Sequence, residues 1–141
     1  MGCVFCEIIR GERKAYRIYE DDEVIVILDI NPVSKGHCLV ISKKHYANIF
    51  DAPEDILSRM IAVAKRISIV LRDRLDTKGV NIIMANNPEA GQTVMHVHIH
   101  VIPRYPNDDI RFRFRIKKMS EKEFEELASM LKQSSIVYLD Q

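Results

Sequence analysis

Met95-His96-Val97-His98-Ile99-His100-Val101-Ile102 alternates apolar residues with histidines. A β-strand sends successive side chains to opposite faces. His96, His98 and His100 therefore share one face, and Val97, Ile99 and Val101 share the other. The apolar set can pack against a helix. The opposite face presents three imidazoles in a row, each of which needs hydrogen-bond partners if buried. Three chemistries fit such a face. It can be a hydrogen-bonded surface with no reaction. Its His-x-His spacing can supply two ligands to an open zinc site, with a third histidine from elsewhere. Or one imidazole can act as a nucleophile supported by its neighbours. The preceding Gly91-Gln92-Thr93 favours the third. Glycine permits close backbone approach, and Gln92 and Thr93 add an amide and a hydroxyl able to donate to phosphate oxygens. Donors beside imidazoles suit a developing negative charge better than they suit a metal shell.

Working outward, the pattern predicts one or two helical turns over Phe5–Arg10, ended by Gly11. Strands are expected over Ala15–Tyr19, Glu23–Asp29 and His37–Ser42, with a turn at Glu20-Asp21-Asp22 and a loop at Asn31-Pro32 to Lys35-Gly36. Asp51 has the chemistry of an N-cap, with Pro53 in the first turn. Ile56, Met60, Val63, Ala64, Ile67 and Leu71 then recur at spacings of three and four, one apolar helical stripe running to about Leu75. A fourth strand is expected over Val80–Met84 and a fifth over Met95–Ile102, stopped by Pro103. Ile110–Ile116 alternates with Arg111, Arg113 and Arg115, as an exposed, charge-guarded edge strand would. Ser120 with Glu123 forms a capping box for a last helix. Strands joined by short loops point to an α+β fold, an antiparallel sheet with helices on one side.

The 141 residues, 47% of them hydrophobic, suffice for one domain with a core. A formal net charge of +1 argues against a dedicated nucleic-acid binder, while leaving room for a small phosphorylated ligand. No apolar run approaches a membrane span, and the N-terminus shows no secretory signal. Three cysteines, Cys3, Cys6 and Cys38, do not read as a disulfide framework. The expectation is a cytoplasmic protein with reduced thiols.

Gly91-Gln-Thr-Val-Met-His-Val-His-Ile-His-Val-Ile102 resembles the signature of the histidine triad family, and further blocks lie in the family's order. These are Cys3-Val-Phe-Cys-Glu-Ile-Ile9, Leu28-Asp-Ile-Asn-Pro32 and Gly36-His-Cys-Leu-Val-Ile-Ser-Lys-Lys-His45. The resemblance covers about Cys3 to Arg104, leaving 105–141 as a C-terminal extension of a single domain spanning 1–141. It implies a five-stranded antiparallel sheet with one long helix and short terminal helices, pairing into a homodimer with a continuous sheet. It also implies transfer or hydrolysis of purine nucleoside phosphates through a nucleotidyl-histidine intermediate. The loop 87–93 resembles the dinucleoside polyphosphate hydrolase branch. The N-terminal Cys-x-x-Cys resembles the phosphoramidate branch.

On that resemblance His98 is the nucleophile, His100 contacts the phosphate or leaving group, and His37 supports the same site. Asp29 accepts the ribose hydroxyls, Ile30, Phe5 and Ile27 wall the base, and Asn86, or its neighbour Asn87, touches the phosphate–ribose side. Gly91, Gln92 and Thr93 complete the nucleotide site. Cys3, Cys6, His45 and His96 match a structural Cys2His2 zinc site, closed and separate from the chemistry, and no catalytic metal is expected. Simpler readings stand beside these: a strand-end histidine at His37, a turn residue at Asp29, ordinary core at Phe5, Ile27 and Ile30, two reduced thiols at Cys3 and Cys6. A non-catalytic adenine-nucleotide sensor using the same pocket is the alternative function.

Overall fold

Val24–Leu28 and Cys38–Ser42 carry apolar residues on both faces of the sheet, and the computed structural model shows what covers each. It describes residues 2–133. The element order is α1 (Val4–Ile9), β1 (Arg17–Glu20), β2 (Val24–Leu28), β3 (Cys38–Ser42), α2 (Glu54–Leu75), β4 (Gly79–Ile83), β5 (His98–Arg104) and α3 (Glu121–Lys132). The strands form one antiparallel sheet in the order β1-β2-β3-β5-β4. The architecture is α+β, with the five strands and one long helix anticipated above.

Alternation assigns the two faces. Val24, Val26, Cys38, Val40, Ile99 and Val101 meet the stripe of α2 formed by Met60, Val63, Ala64, Ile67 and Leu71. The opposite face brings Ile25, Ile27, Leu39 and Ile41 against Phe5 and Ile8 of α1. The sheet is thus covered on both sides, a correction to the expectation of helices on one side. A six-residue helix stays folded because its apolar pair is buried and Cys3 caps it, accepting from the Cys6 amide. Cross-strand neighbours fix where the histidines fall. Ile25, Ile41 and His98 form one row, and Ile27, Leu39 and His100 the next. Both rows lie on the face that α1 covers.

Four local expectations are corrected. Asp51 does not cap α2. Its carboxylate accepts from the amides of Ala47 and Asn48, both at 3.0 Å, and Pro53 stands at the N-cap. Pro103 does not stop β5, because β3 no longer runs beside it. Cys38 pairs with Val101, so Pro103 pairs only with Val80 of β4 and removes no ladder bond on the β3 side. The strand begins at His98 rather than Met95. The Val97 amide turns to the Tyr46 carbonyl at 2.7 Å, which takes His96 out of the sheet. Ile110–Ile116 forms no strand, and among the described residues the sheet ends at β1 and β4. Alternation reports the directions of side chains and carries no information on whether a backbone partner exists.

The chain divides into two compact units, Met1–Ile110 and Arg111–Gln141. In the second, Phe112 and Phe114 stack with ring centroids 6.4 Å apart, and Ser120 and Glu123 form the expected capping box of α3. The last eight residues of the expected C-terminal extension lie outside the described residues.

Gly36 shows how tightly the loop before β3 is seated. Its φ is +95°, and an added Cβ would lie 2.6 Å from Cδ1 of Leu75 and 3.1 Å from Cδ2 of Leu71. Gly36→Ala is expected to destabilise the protein by roughly 2–4 kcal/mol, combining the left-handed penalty with overpacking. Urea denaturation measures it, and a change below the experimental error would refute the packing argument.

Candidate active site

β5 places His98 and His100 two residues apart on one face, so both rings project toward α1. Phe5 of α1 meets the His98 ring edge-on at 5.0 Å between centroids. His98 is buried, and its Nδ1 lies 2.6 Å from the His96 carbonyl. A carbonyl only accepts, so Nδ1 carries the proton and Nε2 keeps its lone pair. Burial lowers the pKa of His98 below that of a free imidazole, against the opposing pull of the His96 carbonyl and Asp29. The ring is a neutral imidazole with a defined tautomer and a free Nε2.

A second chain of bonds fixes His100. The Val33 amide donates to Nδ1 of His37 at 3.2 Å. Nδ1 is therefore the acceptor and Nε2 of His37 carries the proton. That Nε2 lies 3.0 Å from Nδ1 of His100 and 3.4 Å from Oδ2 of Asp29. His100 thus accepts at Nδ1 and holds its own proton on Nε2. Burial, together with the neighbouring His98 and His37, pushes the pKa of His100 down to about 4. Burial also lowers that of His37, against the opposing pull of Asp29, whose Oδ2 stays within 3.4 Å of the ring. The result is one imidazole offering a lone pair beside another offering an N–H.

These rings open on a cavity of about 410 Å³. Its floor is Ile27 and Leu39 of β2 and β3, and its roof is Val4, Phe5 and Ile8 of α1. Asp29, Ile30 and Asn31 close one side, and Gly91, Gln92, Thr93 and Val94 close another. Asp29 keeps one oxygen on the Asn31 amide at 2.8 Å. Of the residues singled out from sequence, His98, His100, Asp29, Ile30, Phe5, Ile27, Gly91, Gln92 and Thr93 line this space. His37 stands behind His100. Asn86 does not line it: its Oδ1 accepts from the Ile49 amide at 2.8 Å. Asn87 is held away by Asn48, which donates to its Oδ1 at 2.7 Å.

Gln92 lines the cavity, yet its amide is spent elsewhere. Nε2 donates to the carbonyls of Ala47 and Val94 at 2.7 and 3.0 Å, while Oε1 accepts from the Asn87 amide and from Asn48. It braces the loop and leaves Gly91 and Thr93 to face the cavity. Sequence reasoning missed Arg13, Lys14 and Ala15, which also line it. They reach it because the Leu28 amide donates to the Tyr16 carbonyl, which folds the segment before β1 alongside the end of β2. Nothing local in Gly11-Glu12-Arg13-Lys14 announces that pairing.

His96 belongs to a different cluster. Nδ1 of His96 lies 3.3 Å from the Cys3 Sγ, 3.5 Å from the Cys6 Sγ and 3.1 Å from Nδ1 of His45, which is 3.4 Å from the Cys6 Sγ. Two sulfurs at about 2.3 Å and two nitrogens at about 2.0–2.1 Å from a tetrahedral zinc stand roughly 3.3–3.8 Å from one another. The donor set and spacing therefore fit zinc. Nε2 of His96 donates to the Ser42 carbonyl at 2.6 Å, the outer bond that orients a ligating imidazole. The three histidines are divided between two sites, so the reading in which the triad jointly ligates a catalytic metal loses its geometry. Asp29, His37 and His100 also come together, but the proton that the Val33 bond places on Nε2 of His37 blocks ligation there.

The sheet thus presents one bare imidazole nitrogen and one imidazole N–H to a small, largely apolar cavity whose one lining carboxylate is Asp29. Residues 10–107 match the HIT domain, and the chain belongs to the HIT family. It is 48% identical over 106 residues, 75% of this chain and 81% of the relative, to an uncharacterised HIT-like protein of Methanocaldococcus jannaschii. It is 36% identical to the adenylylsulfatase HINT3 of Arabidopsis thaliana, covering 92% of this chain and 68% of that protein. The crystal structure of a zinc-bound histidine triad family protein from Mycobacterium smegmatis superposes with a TM-score of 0.75 at 40% identity, covering 93% of this chain and 94% of that one. Among the described residues no helix is long and apolar enough to cross a membrane.

Proposed function

We propose that this protein cleaves a purine nucleoside phosphoramidate or dinucleoside polyphosphate at the α-phosphorus, with His98 as the nucleophile. The observation that carries the reading is the bond from His98 Nδ1 to the His96 carbonyl, which leaves Nε2 unprotonated and facing the cavity. Asp29 takes the ribose hydroxyls with the oxygen not already used by Asn31. Phe5, Ile27 and Ile30 flank the base, and Gly91 and Thr93 lie beside the phosphate.

Nε2 of His98 forms a bond to phosphorus as the bond from phosphorus to the leaving group breaks. The leaving group departs with that electron pair and takes up a proton. Water then attacks phosphorus and releases a proton to solvent, the N–P bond breaks, and the pair returns to Nε2. The His96 carbonyl holds the charge that the ring acquires between the two steps, and the N–H of His100 donates to the phosphate or the departing atom. Splitting one displacement into two is the gain from covalent catalysis. Zinc, held by Cys3, Cys6, His45 and His96, would supply structure and no step of the reaction. Among the described residues β4 is an edge strand of the sheet, and that edge beside α2 is the surface through which two copies would join their sheets.

Rapid quenching of the enzyme with an adenosine phosphoramidate, diadenosine polyphosphates or adenylated lysine is expected to trap one nucleoside monophosphate on the peptide bearing His98. Mass spectrometry of that peptide checks it. Binding of nucleotide with no product after long incubation would instead identify a sensor.

A further inference from the structure

The function proposed above leaves two cations of the cavity without a role, Arg13 and Lys14. Sheet register locates them. Across the sheet the rows run Arg17–Ile27–Leu39–His100 and, nearer the turn between β1 and β2, Ile25–Ile41–His98. Tyr16 is bonded to Leu28, so residues 13–15 continue beside the end of β2, past the His100 row and away from the His98 row. They also lie at the β1 edge, three strand spacings or about 14 Å from β5. Arg13 and Lys14 therefore stand at the corner of the cavity diagonal to His98. With phosphorus at Nε2 of His98 and the sugar at Asp29, a nucleotide laid over Ile27 and Leu39 points its base at that corner.

Both side chains are poised rather than free-swinging. Nε of Arg13 donates to Oε2 of Glu7 on α1 at 2.8 Å, which orients the guanidinium and leaves its terminal nitrogens for a ligand. Lys14 Nζ sits 5.2 Å from the centroid of the Tyr16 ring, an attraction that restrains the ammonium. Both groups donate and neither accepts. The major-groove edge of guanine or hypoxanthine offers two adjacent acceptors, O6 and N7. The same edge of adenine offers N7 beside an N6 donor, which a guanidinium or ammonium repels.

We infer that Arg13 and Lys14 select the base, and that the preferred nucleotide carries a 6-oxopurine. This inference rests on the function proposed above and refines its substrate class. The contribution is a ratio between bases. A cation acting only on phosphate charge would strengthen all nucleotides alike.

Calorimetric titration of the full chain with GMP, IMP and AMP tests it, alongside Arg13→Met, Lys14→Met and the double variant. GMP and IMP are expected to bind about five- to ten-fold more tightly than AMP, and the double variant is expected to bring the three within about two-fold of each other. IMP separates the O6/N7 edge from the 2-amino group: if GMP alone were favoured, the contact would not be the one inferred. Equal or tighter binding of AMP by the unaltered protein overturns the inference, as does a ratio that survives the double substitution. Either result leaves nucleotide binding itself standing. If none of the three nucleotides bound, the proposed function would fall together with the inference. Circular dichroism confirms that the variants are folded, and Arg13→Lys, which retains the charge, is expected to keep part of the preference.

Discussion

His98→Ala is expected to abolish turnover, by about four orders of magnitude or more, while nucleotide affinity changes little and the fold persists. The size follows from the role. In the proposed mechanism the ring forms and breaks the bond to phosphorus, and removing a nucleophile from a unit of cooperating groups costs nearly the whole of what the unit supplies. Binding is expected to survive because the proposed sugar and base contacts lie on α1, on β2 and in the loop that follows β2 at Asp29 and Ile30. The fold survives because His98 stands on the α1 side of β5, away from the cluster of α2 residues around Val97, Ile99 and Val101. His100→Ala is a useful contrast: it removes the N–H donor and leaves the nucleophile, so an adduct should still form, more slowly. Single-turnover kinetics and adduct mass distinguish the two. An alanine variant at 98 that still turned over at a comparable rate would remove the basis of the proposed mechanism.

The part of this site legible in the sequence is the part governed by strand periodicity. His98 and His100 share a face because they are two residues apart, and the valine–isoleucine face opposite them meets α2 for the same reason. The stripe from Ile56 to Leu71 is likewise visible because helix packing repeats every three to four residues. What was not legible depends on partners distant in sequence. Ile110–Ile116 alternates as a strand does but forms no strand among the described residues. Asp51 has the chemistry of a helix cap and spends it on the turn at Ala47 and Asn48. Gln92 sits in the right place with its amide already committed. Arg13 and Lys14 reach the cavity only through the β1–β2 pairing.

His96 is the most instructive case. Its period places it with His98 and His100, yet its ring leaves that row for two cysteines ninety or more residues earlier. Its main chain does not leave: the carbonyl of His96 is the group that fixes the tautomer of His98. One residue therefore belongs to a metal-type cluster through its side chain and to the proposed reaction through its backbone. No short motif can express that division, because it depends on where residues 3 and 6 fold.

That division gives the second large effect. Replacing Cys3 and Cys6 together by serine, or stripping metal with a strong chelator, is expected to lower the melting temperature by about 10 °C or more. Structural zinc contributes folding free energy directly, because an assembled ligand set does not exist in the unfolded chain. Even a few kcal/mol of it shifts the midpoint of a domain this size by that amount. The loss is expected to be local first. α1 is six residues long and depends on the Cys3 cap and on burial of Phe5 and Ile8, so its tether is the weakest point of the roof over the cavity. Hydrogen exchange should show α1 opening ahead of the sheet, and GMP and AMP should both bind more weakly to the stripped protein. Metal analysis of the purified protein comes first, with about one zinc per chain expected. A chain free of zinc whose melting temperature is unmoved by adding it would show that the four ligand atoms meet for some other reason, and would detach His96 from any role beyond its carbonyl.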